Sequence, residues 1–208
     1  MRARHHLTTA LLAFLALAAG APRRATGQTA WQPSDGHTQI PIWPGGIPDA
    51  RPGIGHEVAG TVINSSGKPK LVGGKPWIYV DSVTQPTITV YSPARTNTGV
   101  AVVVFPGGGY NVLAIDLEGT EACDWLTSTG ITCILLKYRV PCAKAGAYRD
   151  CRTALEDAQR AMGLVRLRAA QWHIDPRKIG VLGFSAGGHM VAAISTHFAK
   201  RLYPAVEA

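Results

Sequence analysis

The sequence predicts an α/β fold in which helices flank a mostly parallel sheet. Apolar runs of five to six residues recur along the chain, as they do in strands that are buried on both faces. Segments with helical spacing of apolar residues lie between these runs. Regular alternation of the two kinds of segment is typical of parallel sheets with crossover connections. With 208 residues, 46% of them apolar and 16% charged, the chain can bury one sizeable core.

The first 27 residues are predicted to be a secretory signal peptide outside the fold. Arg2 and Arg4 precede an apolar run over residues 11–19, and small residues follow, which is the pattern of such a peptide. Cleavage is expected after Ala19 or, preferably, after Gly27. An uncleaved membrane anchor is the alternative, but the run is shorter than the roughly 20 residues that span a bilayer. We expect a secreted or periplasmic protein with no membrane attachment after cleavage.

The charge of the chain does not indicate nucleic-acid binding. The formal net charge of the chain is +8. Four arginines lie within residues 1–27, so the mature chain would carry a net charge of +4. The remaining basic residues are scattered, whereas nucleic-acid binders concentrate them on one patch.

The predicted organisation has three parts. Residues 1–27 form the signal peptide, residues 28–85 an N-terminal arm with the first strands, and residues 86–208 the α/β domain. The Pro- and Gly-rich stretch 28–60 is expected to be irregular. Strands are predicted at 87–92, 100–105, 131–138 and 179–184, and helices at 118–130, 153–172 and 186–199.

The four cysteines predict one disulfide, because an exported chain meets oxidising conditions. Cys142 and Cys151 bracket a glycine-containing loop, and a bridge between them would close it. Cys123 and Cys133 are expected on a helix and a buried strand as free core thiols. None of the spacings resembles a zinc site, and no other metal or cofactor is predicted.

The segment "GVLGFSAGG", residues 180–188, predicts a nucleophile. Ser185 sits in a G-x-S-x-G turn between an apolar strand and a helix of small residues, and such a turn exposes the serine oxygen above the sheet. Gly183 and Gly187 leave room for the neighbouring strand and helix. The N–H of Ala186 can then face a developing oxyanion. The alternative is a serine that merely caps the helix in a glycine-rich turn.

A second turn, "FPGGGY", follows the strand at 100–105. Its consecutive glycines expose backbone N–H groups, so Gly108 and Gly109 can supply the other half of an oxyanion hole. A flexible turn and a phosphate cradle are the alternatives. The cradle is disfavoured because the Gly-Lys-Ser/Thr of a Walker loop and the G-x-G-x-x-G of a dinucleotide loop are both absent.

Several motifs in this order resemble one known family. "VFPGGGY", "DLEG", "WLTSTGI", "LLKYRVP", "LEDAQRAM" and "HIDPRKIGVLGFSAGGHM" are similar to the secreted α/β-hydrolase esterases that include bacterial acetyl xylan esterases. The resemblance covers roughly residues 86–197. It implies a serine hydrolase with Ser185 as nucleophile, with the amides of Ala186, Gly108 and Gly109 as oxyanion hole, and with short acyl esters as substrates. Many relatives carry a histidine before the glycines, where this chain has Pro106.

The resemblance also predicts residues that this sequence does not contain. In the superfamily the catalytic acid and then the histidine follow the nucleophile on later strands, but only 23 residues follow Ser185. We expect a C-terminally truncated domain in which the strand at 179–184 is an exposed edge. His189 is expected to pack or face solvent rather than act as the catalytic base. The other histidines are not expected to act as the base either; they are His37, His56, His173 and His197. Glu207 is the one acid beyond the turn.

The sequence therefore predicts a secreted esterase that hydrolyses acetyl or similar short acyl groups on xylan or a related polysaccharide, or on small esters. Asp116 and Glu118 are expected to hold the glycine loop, and Asp175 to form a turn. Two other functions stay open. One is a serine peptidase of the prolyl-oligopeptidase type, which shares the turn around Ser185. The other is a non-catalytic product that at most binds carbohydrate.

Overall fold

The computed structural model describes residues 29–50, 54–142 and 151–205. The predicted signal peptide and Glu207 lie outside these residues, and the predicted domain boundaries remain predictions. The strands are β1 (Gln39–Pro41), β2 (Val58–Thr61), β3 (Leu71–Val72), β4 (Lys75–Pro76), β5 (Ile78–Asp81), β6 (Thr87–Tyr91), β7 (Ala101–Phe105), β8 (Leu113–Ala114), β9 (Thr132–Lys137) and β10 (Ile179–Gly183). The helices are α1 (Glu121–Ser128), α2 (Arg152–Leu167) and α3 (Ala186–Thr196).

A five-stranded sheet in the order β1-β6-β9-β7-β10 forms the centre of the fold. Strands β9, β7 and β10 run parallel to one another, while β6 is antiparallel to β9 and β1 is antiparallel to β6. The predicted α/β class is confirmed. The sheet is mixed because β6 runs opposite to its neighbours β1 and β9.

Position in the sheet determines how deeply each strand is buried. Every residue of β9 is buried, as expected for a strand with neighbours on both sides and helices above and below. Strand β10 is half-buried and exposes Gly180, because it lies at the edge of the sheet. The prediction of a third fully buried strand is therefore wrong for β10, although the described residues do leave it as the expected edge.

The helices begin close to their predicted bounds, but α2 ends five residues and α3 three residues before the predicted end. The segment predicted as one helix over 118–130 begins as a π-helical turn, Asp116–Thr120, and continues as α1. Gly130, with φ +84°, follows it in the left-handed conformation that favours glycine at helix ends. Helix α2 buries Ala158, Ala161 and Val165 along one face, as the helical spacing predicts.

The stretch 28–60 is not wholly irregular, which corrects the prediction. It contains β1, which extends the central sheet, and β2, which joins β5 and β8 in a second, three-stranded sheet. The sequence of β1 is too short, and too rich in proline around it, to show the pattern of a strand.

A buried ion pair ties the N-terminal region to α2. The Arg139 guanidinium donates to both carboxylate oxygens of Asp157 at 2.8–3.0 Å, and the indole of Trp43 donates to the same carboxylate at 2.7 Å. Asp157 is fully buried and Arg139 nearly so. A buried carboxylate with three charge-assisted or polar donors is well satisfied, so this cluster holds the arm against the domain.

The disulfide joins a different pair from the one predicted. Cys123 on α1 and Cys133 on β9 are bonded, with their Cα atoms 5.1 Å apart, so these two are not free thiols. Their places on a helix and a buried strand are as predicted. Cys142 and Cys151 are both buried and lie near Tyr138. The sequence could not distinguish the pairs, because the approach of α1 to β9 is a tertiary contact.

Candidate active site

Ser185 lies in the sharp turn between β10 and α3. Its backbone has φ +48° and ψ −114°, a region that costs a non-glycine residue free energy and is populated where the surrounding structure enforces it. The turn is held on both sides of the serine. The Phe184 N–H donates to the Phe105 carbonyl at 3.2 Å, and the Gly187 N–H donates to the Phe184 carbonyl at 2.7 Å. The side chain of Ser185 is exposed.

The hydroxyl of Ser185 does not cap the helix. Ser185 occupies the N-cap position of α3, yet its side chain makes no capping hydrogen bond. Serine at this position ordinarily accepts from a backbone N–H two or three residues later. The alternative of a capping serine therefore finds no support in the hydrogen bonding.

The glycines on either side of Ser185 are required by close packing. A Cβ atom on Gly187 would overlap the carbonyl oxygen of Phe105, and one on Gly183 would overlap the carbonyl of Gly187. The expectation that these two glycines let strand and helix approach is confirmed. The β10-α3 turn thus packs directly against the end of β7.

The glycine loop after β7 touches the same turn. Because β7 and β10 are parallel, with Phe105 opposite Gly183, both turns lie at the same end of the sheet. A Cβ atom on Gly107 would lie 3.0 Å from the Cβ of Ser185 and 2.7 Å from the Phe184 carbonyl oxygen. The two turns that the sequence analysis singled out are therefore in contact.

Three backbone N–H groups in these turns have no acceptor. Within residues 29–50, 54–142 and 151–205, no carbonyl or side chain accepts a hydrogen bond from Ala186, Gly108 or Gly109. The N–H of Ala186 is one of the donors that every helix leaves open at its N-terminus, where the helix dipole favours negative charge. Gly108 and Gly109 have φ +130° and +63°, which turns the loop away from the strand direction of β7.

Polar side chains anchor the glycine loop from below. The Glu118 carboxylate accepts from the Gly107 N–H at 2.8 Å, and the Tyr138 hydroxyl donates to the Pro106 carbonyl at 2.6 Å. Burial and, to a lesser extent, the nearby Tyr110 raise the pKa of Tyr138 well above its ordinary value. The hydroxyl therefore keeps the proton that it donates. Glu118 is a loop anchor, as expected. The Asp116 carboxylate instead accepts from the Ile78 N–H of β5.

The described histidines do not contact the hydroxyl of Ser185. His189 is exposed on α3, and its Nδ1 lies 2.8 Å from the hydroxyl of Tyr110. His197 contacts Thr196. Within the described ranges, no histidine or carboxylate forms a hydrogen bond with the Ser185 hydroxyl, and no group of three or more His, Cys, Asp or Glu side chains could hold a metal ion. None of the helices in these ranges is long and apolar enough to cross a membrane.

Two residues near the site were missed by the sequence analysis. Tyr110 ends the "PGGGY" loop and is fully buried, and Tyr138 ends a run that was noted only for its apolar residues. A tyrosine at the carboxyl end of a buried strand, or directly after three glycines, carries a hydroxyl that needs a partner. That requirement was the available signal.

A family model described as BD-FAE matches residues 75–203. The chain belongs to the BD-FAE family. BD-FAE domains are α/β-hydrolase esterases, which agrees with the mixed central sheet and its flanking helices. The matched range includes both turns and the whole parallel part of the sheet.

Individual relatives agree with this family. Over 99 residues, the chain is 39% identical to the acetylxylan esterase of Xylanibacter ruminicola, covering 48% of this chain and 19% of that protein. It is 31% identical over 97 residues to endo-1,4-beta-xylanase B of Butyrivibrio fibrisolvens, covering 47% and 15%.

A solved structure also matches. The acetyl ester-xyloside bifunctional hydrolase of Caldicellulosiruptor lactoaceticus superposes with a TM-score of 0.51 at 32% identity, covering 77% of this chain and 47% of that one. The BD-FAE chain described here therefore spans less than half the length of each of these three proteins.

Proposed function

We propose that this protein is a serine carboxylesterase with Ser185 as its nucleophile. The observation that carries the proposal is the geometry of Ser185. This residue is exposed, makes no capping hydrogen bond and lies in a strained turn. The turn packs against a loop whose N–H groups are open. A serine with a structural role at a helix N-terminus ordinarily accepts a hydrogen bond from a backbone N–H of the first turn. Ser185 makes no capping bond and is exposed, which supports a catalytic role.

The amides of Ala186, Gly108 and Gly109 are the proposed oxyanion hole. When the Ser185 oxygen attacks an ester carbonyl, the carbonyl oxygen gains negative charge, and fixed N–H donors stabilise that charge in the transition state. The N-terminal end of α3 adds a favourable dipole at the same place. The anchors Glu118 and Tyr138 support the proposal because they hold the loop before substrate arrives.

The proposed reaction passes through an acyl-enzyme. The Ser185 oxygen bonds to the carbonyl carbon, the hydroxyl proton passes to a general base, and the ester oxygen leaves as an alcohol after receiving a proton. Water then attacks the acyl group, which releases the carboxylic acid and regenerates the hydroxyl. We assign the general base to none of the described residues.

The proposed substrates are acetyl or similar short acyl esters on xylan or a related polysaccharide, met outside the cell. The names of the similar proteins, an acetylxylan esterase, a xylanase and an acetyl ester-xyloside hydrolase, support this class. The predicted signal peptide supports export. These are proposals for the whole protein.

Hydrolysis of an aryl acetate and of acetylated xylan, compared between the whole protein with its general base and the same protein with Ser185→Ala, tests the function. We expect the variant to lose at least about 10³-fold in kcat/KM, the scale of losing an activated serine. Ser195→Ala is the matched control, because Ser195 is also exposed but lies further along α3. Equal rates for the wild type and Ser185→Ala would contradict the proposal.

The same preparations distinguish the alternative functions. Cleavage of a proline-containing peptide amide in preference to the aryl acetate would favour the peptidase. Binding of xylan oligosaccharides with no Ser185-dependent hydrolysis of any ester would favour a non-catalytic carbohydrate binder.

A further inference from the structure

Tyr110 has a backbone conformation that is unfavourable for a residue with a bulky side chain. It follows Gly108 and Gly109 and, like them, has a positive φ, here +61°. Glycine or asparagine would adopt this conformation at lower cost than a tyrosine. A bulky residue persists in such a conformation when several contacts determine it.

Three contacts with described residues hold Tyr110 in position. Its ring is fully buried and meets the Tyr138 ring edge-on, with centroids 6.2 Å apart. Its carbonyl accepts from the Cys142 N–H at 2.9 Å. Its hydroxyl lies 2.8 Å from Nδ1 of His189, with one of the two groups donating according to the tautomer of the imidazole.

The contact with His189 joins the two halves of the site. Tyr110 belongs to the glycine loop, while His189 lies one helical turn beyond Ser185, where its N–H donates to the Ser185 carbonyl at 3.0 Å. The imidazole and the phenol ring are perpendicular, with centroids 5.9 Å apart. This side-chain pair therefore links the loop that carries Gly108 and Gly109 to the helix that carries Ala186.

We propose that Tyr110 and His189 are positioning residues that hold the glycine loop and the N-terminus of α3 at the separation that the oxyanion hole requires. The inference rests on the proposed function. Glu118 and Tyr138 anchor the loop to the rest of the fold, but neither contacts α3 through a described hydrogen bond. The Tyr110–His189 pair adds a side-chain link between the loop and α3 to the backbone packing of Gly107 and Gly187.

A positioning pair affects the transition state more than the ground state. Donors that move by a fraction of an ångström still allow an ester to bind, but stabilise the oxyanion less. For an aryl acetate we expect Tyr110→Phe and His189→Leu to lower kcat roughly 10- to 100-fold with KM unchanged. His189→Asn, which keeps a polar atom near the place of Nδ1, should retain kcat within about threefold.

Coupling between the two residues gives a sharper test. Once either partner is lost, removing the other should add little, so the double variant should match Tyr110→Phe in kcat within about twofold. Tyr91→Phe is the matched control, because it removes a hydroxyl that has no hydrogen-bond partner among the described residues. It should leave kcat unchanged. Unchanged kcat in Tyr110→Phe, or a rise in KM alone, would overturn the proposal.

Amide hydrogen exchange separates this inference from the proposed function. In Tyr110→Phe and His189→Leu the amides of residues 111, 112 and 114, which donate to the carbonyls of Gly107 and Gly108, should exchange at least about tenfold faster, while exchange in β9 stays unchanged. If the wild type shows no Ser185-dependent hydrolysis, the proposed function fails, and exchange alone decides the role of the pair. Exchange at residues 111, 112 and 114 that matches the wild type would overturn the proposed role, whatever the activity.

Discussion

Substituting Gly187 by alanine tests how tightly the β10-α3 turn packs against β7. The added Cβ would overlap the carbonyl oxygen of Phe105 and lie 2.8 Å from the carbonyl carbon and 3.0 Å from the Pro106 carbonyl oxygen. All of these atoms are backbone, and β7 is flanked by strands on both sides, so neither partner yields easily. Overpacking of this kind costs about 3 kcal/mol at the upper end of its usual range.

Gly188→Ala is the matched control. Gly188 is the next residue of the same helix, and its Cβ would meet nothing closer than the Gly183 carbonyl oxygen at 3.4 Å, an ordinary contact. Replacing glycine by alanine within a helix stabilises by up to about 1 kcal/mol. This gain applies to both variants, so Gly187→Ala should lose a net ~2 kcal/mol and Gly188→Ala should gain up to ~1 kcal/mol.

Urea unfolding followed by tryptophan fluorescence measures the difference between the two alanine variants. We expect their free energies of unfolding to differ by about 3 kcal/mol, or roughly 6–12 °C in Tm for a domain of this size. If Gly187→Ala proves as stable as Gly188→Ala, the close approach of α3 to β7 is wrong, and with it the contact between the two turns.

Three further predictions concern stability. Asp157→Asn removes the closer of the two carboxylates that pair with buried Arg139 and leaves only Glu156 at 3.2 Å, so urea unfolding should show a loss of about 3 kcal/mol, the lower end for breaking a buried pair; a loss below 1 kcal/mol would contradict the burial of the pair. The double variant Cys123→Ser and Cys133→Ser opens a loop of ten residues and should lose about 3 kcal/mol, whereas unchanged stability, together with labelling of Cys123 and Cys133 by a thiol reagent in the unfolded wild type, would show that no bridge forms. Burial raises the pKa of Tyr91 to about 12, so its contribution to stability is complete below the ordinary value of about 10 and is lost as the pH rises towards 12. Between these pH values the free energy of unfolding of Tyr91→Phe should therefore fall less than that of the wild type. Equal falls in the two proteins would refute the raised pKa of Tyr91.

The sequence predicted the elements whose signal is local. The apolar run of β7 and β9, the helical spacing of α2 and the glycines around Ser185 each act within a few residues, and each lies where predicted. The edge position of β10 depends on which strands pair, and its partial burial therefore could not be read from "IGVLG" alone. Strand β1 likewise forms only because β6 offers it an edge.

In the candidate site, too, the residues with a local sequence signal were predicted and the tertiary contacts were not. Ser185 and the glycine loop were found from their motifs, and Glu118 from its place beside the loop. The Tyr110–His189 contact joins residues 79 positions apart, and the Cys123–Cys133 bond depends on α1 packing against β9. Both require the tertiary arrangement, which no spacing in the sequence encodes.

Labelling with an aryl phosphonate tests the central claim, that Ser185 is the nucleophile, most directly. The serine oxygen displaces the phenolate from phosphorus, which leaves a stable phosphonyl ester in the position of the tetrahedral intermediate. Intact-mass analysis should find one phosphonyl group per chain, peptide mapping should place it on Ser185, and Ser185→Ala should take up none. Labelling at another residue, or equal labelling of Ser185→Ala and the wild type, would contradict the account.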